Sequence, residues 1–387
     1  MDIDKRIIMK ILYDHQIFTM QTHGGISNYF VDLIRSLPET VECDIALKYN
    51  ENIHLKEGNL FNNSSERFVS YEKLRKYHIP FRRPLFKWIE KRKFQYTPSN
   101  AGRSASIEKI KKNDFDVFHP TFYDTYFLDY LKRPFVLTVH DLIYEQTKAL
   151  FNQTDQIEQR KILCPKAAKI IAISQNTAED LQKYYNIPDS KISVIYQAIS
   201  GNYNTRRSIP SIFNFKYTLY VGARFSYKNF GWMIENIADY LKNSDLKLVC
   251  TGNHFSKAEK SKINKLHIND KVIHIYADKS QMGSLYNNAE CFIYPSLYEG
   301  FGLPILEAFT NECPMLLSKA SCFPEIASDA ALYFEIGNKE SFIRNLDSVI
   351  KNDDLQKQLI ERGKERLNFF SLKKRAEQTL EVYKSVL

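Results

Sequence analysis

The sequence predicts an α/β fold made of two parallel-sheet domains, and three observations support this prediction. The chain has 387 residues, more than a single hydrophobic core usually organises. Short apolar segments alternate with helical patterns in both halves, as expected for parallel sheets. A turn-rich stretch, residues 198–216, separates the two series of alternating elements.

The N-terminal half is predicted to open with a buried strand followed by a helix. Residues 24–37 (GGISNYFVDLIRSL) place apolar side chains at helical spacing. A second helix begins after Ser174, whose hydroxyl suits an N-cap. The predicted strands of this half are residues 7–13, 41–47, 116–120, 134–142, 167–174 and 191–197.

The C-terminal half repeats this alternation. Helices are predicted from Asn229, over residues 280–289 and from Pro304. The predicted strands are residues 218–223, 246–252, 272–277, 291–296 and 314–318. We therefore predict an N-terminal domain over residues 1–200 and a C-terminal domain over residues 201–370. Ligands should bind in a cleft where the carboxyl ends of the two sheets face each other.

Composition narrows the class of protein. The sequence has no run of 18 apolar residues, and its first residues lack the apolar core of a signal peptide. The 6 cysteines show no metal-binding or CxxC spacing, which favours a reducing compartment. These features predict a cytoplasmic protein without structural zinc or disulfides.

One segment concentrates the positive charge. Residues 71–112 hold 13 lysines and arginines against 3 glutamates, in a chain of net charge +9. Aromatic residues interleave with these cations, which suits an anionic membrane surface. No nucleic-acid-binding signature accompanies the segment, so nucleic acid is not predicted as a partner. We expect peripheral contact with the inner face of the cell membrane, and a solvated charged helix is the alternative.

The segment SLYEGFGLPILEA, residues 296–308, combines features that an ordinary turn does not need. A predicted strand ends before it, and Pro304 suits the first helical turn. Gly300 and Gly302 remove side chains in front of that helix, where free amides and the helix dipole favour an anion. Two glutamates flank the turn and can accept hydrogen bonds from sugar diols. These features predict a site for an activated sugar, with a plain strand–helix turn as the alternative.

This segment resembles the E-x7-E motif of family 4 glycosyltransferases, which have the GT-B fold of two facing Rossmann-like domains. The likeness covers nearly the whole chain, including ECFIYPS before the motif and ASCFPEIASDAALYF after it. The resemblance implies a retaining glycosyltransferase whose C-terminal helix, residues 371–387, crosses back to the N-terminal domain. It also implies that Glu299 positions the hexose and Glu307 the ribose of a nucleotide sugar.

By the same resemblance, the C-terminal domain holds the donor. The stretch YVGARFSYKN is similar to the family's phosphate clamp, with Arg224 and Lys228 as its cations. Such cations stabilise a departing nucleoside diphosphate without a metal. Family members contact the base through the backbone after a strand that corresponds to VIHI. The other implied substrate-binding residues of this domain are Tyr276, Ala277, Gly300, Phe301, Gly302 and Leu303.

The N-terminal domain is implied to face the donor from the opposite side. THGGISNYF resembles the family's glycine loop, in which Gly24 and Gly25 open a helix toward the diphosphate or the acceptor. TVHDL resembles the strand end that supplies a sugar-contacting histidine, here His140, with Asp141 beside it. The residues predicted to be catalytic are therefore Glu299, His140, Arg224 and Lys228.

No metal or cofactor is predicted besides the nucleotide sugar, which is a substrate. Asp114 and Asp116 form a DxD, the metal–nucleotide motif of the other glycosyltransferase fold. This DxD leads straight into a predicted strand, where acidic residues are ordinary.

The sequence thus predicts transfer of a hexose from a nucleotide-diphosphate sugar to a glycan or lipid-linked glycan acceptor in bacterial surface polysaccharide or lipopolysaccharide synthesis. Mannose from GDP-mannose is favoured, since TVHDL and GGISNYF resemble the mannosyltransferase-like branch. The alternatives are a UDP-hexose-dependent transferase (glucosyl, galactosyl or N-acetylhexosaminyl), a nucleotide-sugar 2-epimerase, and a nonenzymatic polyanion-binding protein.

Overall fold

The computed structural model describes residues 9–61, 74, 80–92, 97–147, 155–199, 210–224 and 226–387. Within these residues the first six strands run parallel, in two groups ordered β2-β1-β3 and β4-β5-β6. A parallel bridge between Phe118 and Phe135 joins the two groups. The strands are β1 (Met9–Tyr13), β2 (Val41–Ile45), β3 (Val117–His119), β4 (Val136–Val139), β5 (Lys169–Ala172) and β6 (Ile192–Val194).

Helices connect these strands, and the predicted amphipathic helix near residue 24 is among them. It buries Tyr29, Phe30, Leu33 and Ile34 against the sheet's core. The helices of this half are α1 (Gln16–Met20), α2 (Gly25–Ser36), α3 (Ile53–Glu57), α4 (Arg82–Lys91), α5 (Pro98–Lys112), α6 (Ile143–Gln146), α7 (Asp155–Lys166) and α8 (Gln175–Tyr185).

The second half forms a six-stranded parallel sheet in the order β12-β11-β10-β7-β8-β9. Its strands are β7 (Tyr217–Tyr220), β8 (Lys247–Cys250), β9 (Val272–His274), β10 (Cys291–Tyr294), β11 (Met315–Ser318) and β12 (Leu332–Phe334). Its helices are α9 (Phe230–Lys242), α10 (Lys257–Lys265), α11 (Lys279–Asn287), α12 (Leu303–Thr310), α13 (Phe323–Ala327), α14 (Lys339–Lys351) and α15 (Asp353–Leu367). Strands β7, β10 and β11 are buried throughout, as central parallel strands covered on both faces must be.

The last helix, α16 (Leu372–Lys384), returns to the N-terminal half and packs on α2. At its end, the hydroxyl of Tyr383 lies 2.9 Å from that of Tyr13 and 2.6 Å from Nδ1 of His119. This confirms the predicted crossing of the C-terminal helix. The predicted domain boundary lies within residues 198–216, of which residues 200–209 lie outside the described residues.

Candidate active site

The predicted donor residues lie where the strand order of the C-terminal sheet reverses. Strands β7 and β10 are hydrogen-bonded neighbours at this point. Loops that leave the carboxyl ends of two such strands enclose a crevice, which is where open α/β sheets bind ligands. The loop after β7 carries Arg224 and Lys228, and the loop after β10 carries Glu299.

Lys228 and Glu299 form an ion pair across this crevice. The Nζ of Lys228 lies 2.5 Å from Oε1 of Glu299, and their side chains are 17% and 13% exposed. Burial raises the pKa of the neighbouring Tyr294 hydroxyl, and the Glu299 carboxylate adds to this effect. The backbone N–H of Glu299 donates to Oγ of Ser321 at 3.0 Å. Lys228 therefore orients the Glu299 carboxylate, and Ser321 fixes the backbone that carries it.

Arg224 has a different environment from Lys228. Its Nε donates to Oε1 of Glu259 at 2.8 Å, and its Nη1 donates to the carbonyl of Thr251 at 3.0 Å. A further hydrogen bond joins Nη2 to the carbonyl of Asn253. The two predicted cations thus have separate acidic partners, and Arg224 is anchored within its own domain.

Gly302 opens α12 in a conformation that favours glycine. Its φ is +88°, and a Cβ there would lie 3.0 Å from the ring of Phe323. Pro304 lies in the first turn, as predicted, and no side chain caps the helix. The N–H of Leu303 therefore has no partner inside the helix, whereas that of Ile305 donates to the carbonyl of Gly302 at 2.8 Å.

Gly300 has a packing role that the sequence prediction did not contain. A Cβ at this position would lie 1.8 Å from the carbonyl oxygen of His140, in the other domain. Its own carbonyl accepts a hydrogen bond from Oγ of Ser174 at 2.7 Å. Backbone of the N-terminal domain occupies the space that a side chain at position 300 would fill. The sequence had predicted that an anion would approach the backbone through this space. A substrate contact of Gly300 stays a prediction.

Both domains line a cleft of about 700 Å³. Gly25, at the start of α2, faces Leu303, at the start of α12, with 3.9 Å between an added Cβ and the leucine Cδ1. The Glu307 carboxylate accepts a hydrogen bond from the hydroxyl of Tyr286 at 2.9 Å, and the Tyr276 side chain is 80% exposed. The predicted site residues that line this cleft are Gly24, Gly25, Tyr276, Ala277, Leu303 and Glu307.

His140 and Asp141 lie at the end of β4, where the two domains meet. The His140 side chain is buried, its ring lies 5.1 Å from that of Tyr29, and neither ring nitrogen has a partner among the described residues. Burial lowers the pKa of His140 to about 3, so the imidazole is neutral. Desolvation raises the pKa of Asp141, and the negative charge of Glu299 adds to this effect.

The sequence prediction missed several contacts between the domains. The hydroxyl of Tyr298 donates to Asp180 at 2.6 Å. The Glu325 carboxylate accepts the backbone N–H groups of Gln175 and Asn176, at 2.5 and 3.1 Å, at the start of α8. A helix N-terminus favours a nearby carboxylate, but the sequence alone does not show that Glu325 supplies it for α8.

The prediction also missed Arg375, which α16 brings to the cleft. Arginine in a C-terminal helix ordinarily lies at the surface, yet this side chain is only 2% exposed. Its position depends on the crossing of α16, which no local pattern reveals.

The DxD residues have ordinary structural partners. Asp116 accepts the backbone N–H of Lys10 at 2.8 Å, and Asp114 pairs with the Lys10 ammonium at 3.2 Å. Within the part of the chain that the structure describes, no group of three or more His, Cys, Asp or Glu side chains is placed to hold a metal ion.

Part of the predicted membrane segment forms α4, while residues 71–73, 75–79 and 93–96 lie outside the described residues. Three apolar side chains are exposed at helical spacing: Phe81 (84%), Leu85 (39%) and Trp88 (50%). None of the described helices is both long enough and apolar enough to cross a membrane.

Comparison with known proteins agrees with this architecture. Residues 23–200 match the model described as Glycosyltransferase Family 4, and residues 204–366 match Glycosyl transferases group 1. The solved structure of Anabaena Alr3699/HepE in complex with UDP and glucose has a TM-score of 0.71 and 14% identity, covering 97% of this chain and 100% of that chain. At this identity the likeness shows the GT-B fold alone.

Two curated relatives are similar over just over half of the chain. The O-antigen chain mannosyltransferase RfbU of Salmonella typhimurium is 27% identical over 57% of this chain and 61% of its own length. A Campylobacter jejuni N-acetylgalactosamine-N,N'-diacetylbacillosaminyl-diphospho-undecaprenol 4-alpha-N-acetylgalactosaminyltransferase is also 27% identical, over 57% of this chain and 60% of its own length. The matches to both halves and the two facing parallel-sheet domains show that the chain belongs to the family 4 glycosyltransferases of GT-B fold.

Proposed function

We propose that the protein transfers a hexose, with mannose favoured, from a nucleotide-diphosphate sugar to a glycan or lipid-linked glycan, with retention of anomeric configuration. The observation that carries this proposal is the partly buried Lys228–Glu299 ion pair at the strand-order reversal of the donor domain. A carboxylate fixed beside a cation suits a donor that carries both sugar hydroxyls and a diphosphate.

The cleft offers a separate place for each part of the donor. The exposed Tyr276 and the backbone of Ala277 suit the base, and the Glu307 carboxylate suits the ribose diol. The open N-terminus of α12 suits the diphosphate. In this proposal Lys228 contacts the leaving phosphate and Arg224 reinforces the positive field, so that no metal is needed.

The proposed chemistry is a front-face substitution. The bond between the anomeric carbon and the β-phosphate oxygen breaks, and the acceptor oxygen forms its bond on the same face of the sugar. The acceptor's proton passes to the leaving phosphate, so the products are the glycoside and the nucleoside diphosphate. Glu299 holds hexose hydroxyls during this exchange.

His140 fits a binding role toward the sugar. Its depressed pKa keeps the ring neutral at physiological pH, with one nitrogen as a donor and the other as an acceptor. Buried polar atoms normally have partners, so the two unpartnered ring nitrogens suit hydroxyl groups of the hexose.

The activities named for the relatives support the choice of substrates. A mannosyltransferase of O-antigen chains supports mannose as the sugar and surface polysaccharide as the product. The Campylobacter relative supports a lipid-linked acceptor, and the Anabaena complex with UDP and glucose supports a UDP-hexose as the alternative donor.

We further propose that α4 rests on an anionic membrane surface and thereby brings the enzyme to a lipid-linked acceptor. Phe81, Leu85 and Trp88 present apolar area, and the exposed cations Arg83 and Lys87 belong to the same segment. The guanidinium of Arg92 lies 4.4 Å above the Trp88 ring. Aromatic and cationic side chains on one short helix suit the boundary between headgroups and acyl chains.

Neutral substitutions in the ion pair test the proposed site. We expect Glu299→Gln and Lys228→Met each to lower kcat by about 100-fold or more, because each removes a group that acts in the transition state. The double variant should be little worse than either single one, because the two side chains act as a unit. Transfer from the preferred nucleotide sugar to a glycan acceptor is the measurement.

A matched control is the exposed ion pair between Lys319 and Glu335 in the same domain, at 3.1 Å with side chains 59% and 62% exposed. Lys319→Met and Glu335→Gln should transfer at the wild-type rate. Wild-type turnover in folded Glu299→Gln or Lys228→Met would overturn the proposed site.

A further inference from the structure

Arg375 occupies an unusual position for a cation. It lies on α16, which crosses back to the N-terminal domain. It lines the cleft but is only 2% exposed to solvent. Desolvation of a guanidinium is costly unless a negative charge compensates it. The partners of Arg375 therefore indicate what the cleft is built to hold.

The guanidinium has few partners in the protein. Its Nη2 reaches the carbonyl of Tyr29 at 3.5 Å, the outer limit of a hydrogen bond, and its carbon lies 4.8 Å above the Tyr29 ring. Its Nε has no partner among the described residues. Asp32, on the adjacent α2, acts on Arg375 through its charge without forming an ion pair with it in the described part of the chain. The charge of Arg375 is thus only partly compensated.

Two helix N-termini open into the same cleft. Helices α2 and α12 begin at Gly25 and Leu303, which face each other. Each is preceded by a glycine, Gly24 or Gly302, which has no side chain to cap the helix, although in α2 the side-chain Oε1 of Gln21 accepts the N–H of Ser27 at 3.2 Å. The remaining amides and the partial positive charge of the two N-termini, together with a buried arginine, favour an anionic group.

We propose that Arg375 binds the diphosphate of the donor and is a third cation of the donor site beside Arg224 and Lys228. This inference rests on the proposed function. A diphosphate could also come from a lipid-linked acceptor, but Arg375 shares its cleft with Glu307 and Ala277, which we assign to the ribose and the base. The bidentate geometry of arginine suits two phosphate oxygens. The C-terminal helix thereby makes donor binding depend on the N-terminal domain.

The test compares nucleotide binding with nucleoside binding by calorimetry. GDP and UDP are titrated into wild type, Arg375→Met and Arg375→Lys, and guanosine and uridine serve as ligands without phosphate. We expect Arg375→Met to weaken binding of the nucleoside diphosphate by about 10-fold or more, and Arg375→Lys to weaken it less. Nucleoside binding should not change. Lys373→Met is the control, because Lys373 lies on the same helix with its side chain 85% exposed.

Each other outcome overturns the inference. Diphosphate affinity within about twofold of wild type in folded Arg375→Lys and Arg375→Met would show that the residue binds no donor phosphate. Equal loss of nucleoside and nucleoside diphosphate binding would show that it only shapes the cleft. A change confined to the KM for a lipid-diphosphate acceptor would assign it to the acceptor. If wild type binds neither GDP nor UDP, the proposed function itself fails.

Discussion

Single residues at the domain contact combine packing and chemistry. Gly300 lets the backbone of one domain touch that of the other at His140, and the next residue toward the N-terminus is the proposed sugar-binding Glu299. The position that sets the contact between the domains, Gly300, is therefore directly bonded to the residue whose carboxylate is proposed to hold the sugar, Glu299.

This link predicts a large effect from one methyl group. Gly300→Ala places a Cβ where the His140 carbonyl now lies, so the domains must separate to accommodate it. We expect kcat/KM to fall by about 10-fold or more, because small displacements of reacting groups are costly. Nucleoside diphosphate binding to the C-terminal domain should change far less. Steady-state kinetics and small-angle X-ray scattering measure the two effects.

The control for this substitution is Gly231→Ala. An added Cβ at Gly231 in α9 would lie 3.4 Å from the flexible end of Lys262, so it is tolerated. Wild-type kcat/KM and wild-type radius of gyration in Gly300→Ala would show that the contact with His140 does not control closure.

Among the elements of the fold, α4 carries the proposed membrane contact. Trp88→Ser and Lys87→Glu should each weaken sedimentation with phosphatidylglycerol-containing vesicles, since one removes apolar area and the other reverses a charge. Binding to pure phosphatidylcholine vesicles should be weak in all variants. Lys357→Glu, at a side chain 74% exposed on α15, is the matched charge control. Equal sedimentation of wild type with both kinds of vesicle would contradict this role of α4.

Elements with clear apolar patterns were predictable, and elements stabilised by distant charges were not. Strands β4, β7, β10 and β11 read as apolar runs because both of their faces are covered, whereas the partly exposed β12 was not predicted. Helix α7 was missed because its buried face includes Arg160, which pairs with Glu145 at 2.8 Å in the interior. Such a pair follows from the tertiary fold and leaves no periodic signal.

For the whole molecule, the E-x7-E segment predicts where the site lies, and the structure adds long-range contacts that no sequence pattern predicts. Tyr298 meets Asp180 across the domains, and Arg375 reaches Tyr29 from the far end of the chain. These contacts depend on how two domains and a returning helix come together. No local pattern encodes that arrangement.

Buried histidines give the whole fold a testable pH dependence. Burial lowers the pKa of His15 to about 4 and that of His119 to about 3, from an ordinary value of 6.5. As the pH falls, histidines in the unfolded chain are protonated before the buried histidines of the folded protein. The contribution of His15 and His119 to stability is therefore complete above pH 6.5 and is lost as the pH falls from 6.5 toward their folded pKa values. Between pH 6.5 and its folded pKa, each of these histidines lowers the free energy of unfolding by about 1 kcal/mol for every pH unit.

His119→Gln isolates this effect by denaturant titration between about pH 5 and pH 7. The variant loses hydrogen bonds to Tyr383 and Thr138 and should be less stable than wild type at neutral pH. The gap between the two proteins should narrow as the pH falls, because only wild type has His119 to protonate. A constant or widening gap would contradict the assignment.

We propose that this two-domain enzyme moves a hexose from a nucleotide sugar to a glycan, and transfer can be measured with the isolated protein. The most direct measurement is transfer by the wild-type protein from a panel of GDP-mannose, UDP-glucose, UDP-galactose and UDP-N-acetylglucosamine to a lipid-linked glycan, with the anomeric configuration of the product determined by NMR. We expect transfer from GDP-mannose in preference to the UDP-sugars, an α-linked product from the α-linked donor, and full activity in the presence of EDTA. A product of inverted configuration, or activity that EDTA abolishes, would contradict the proposal.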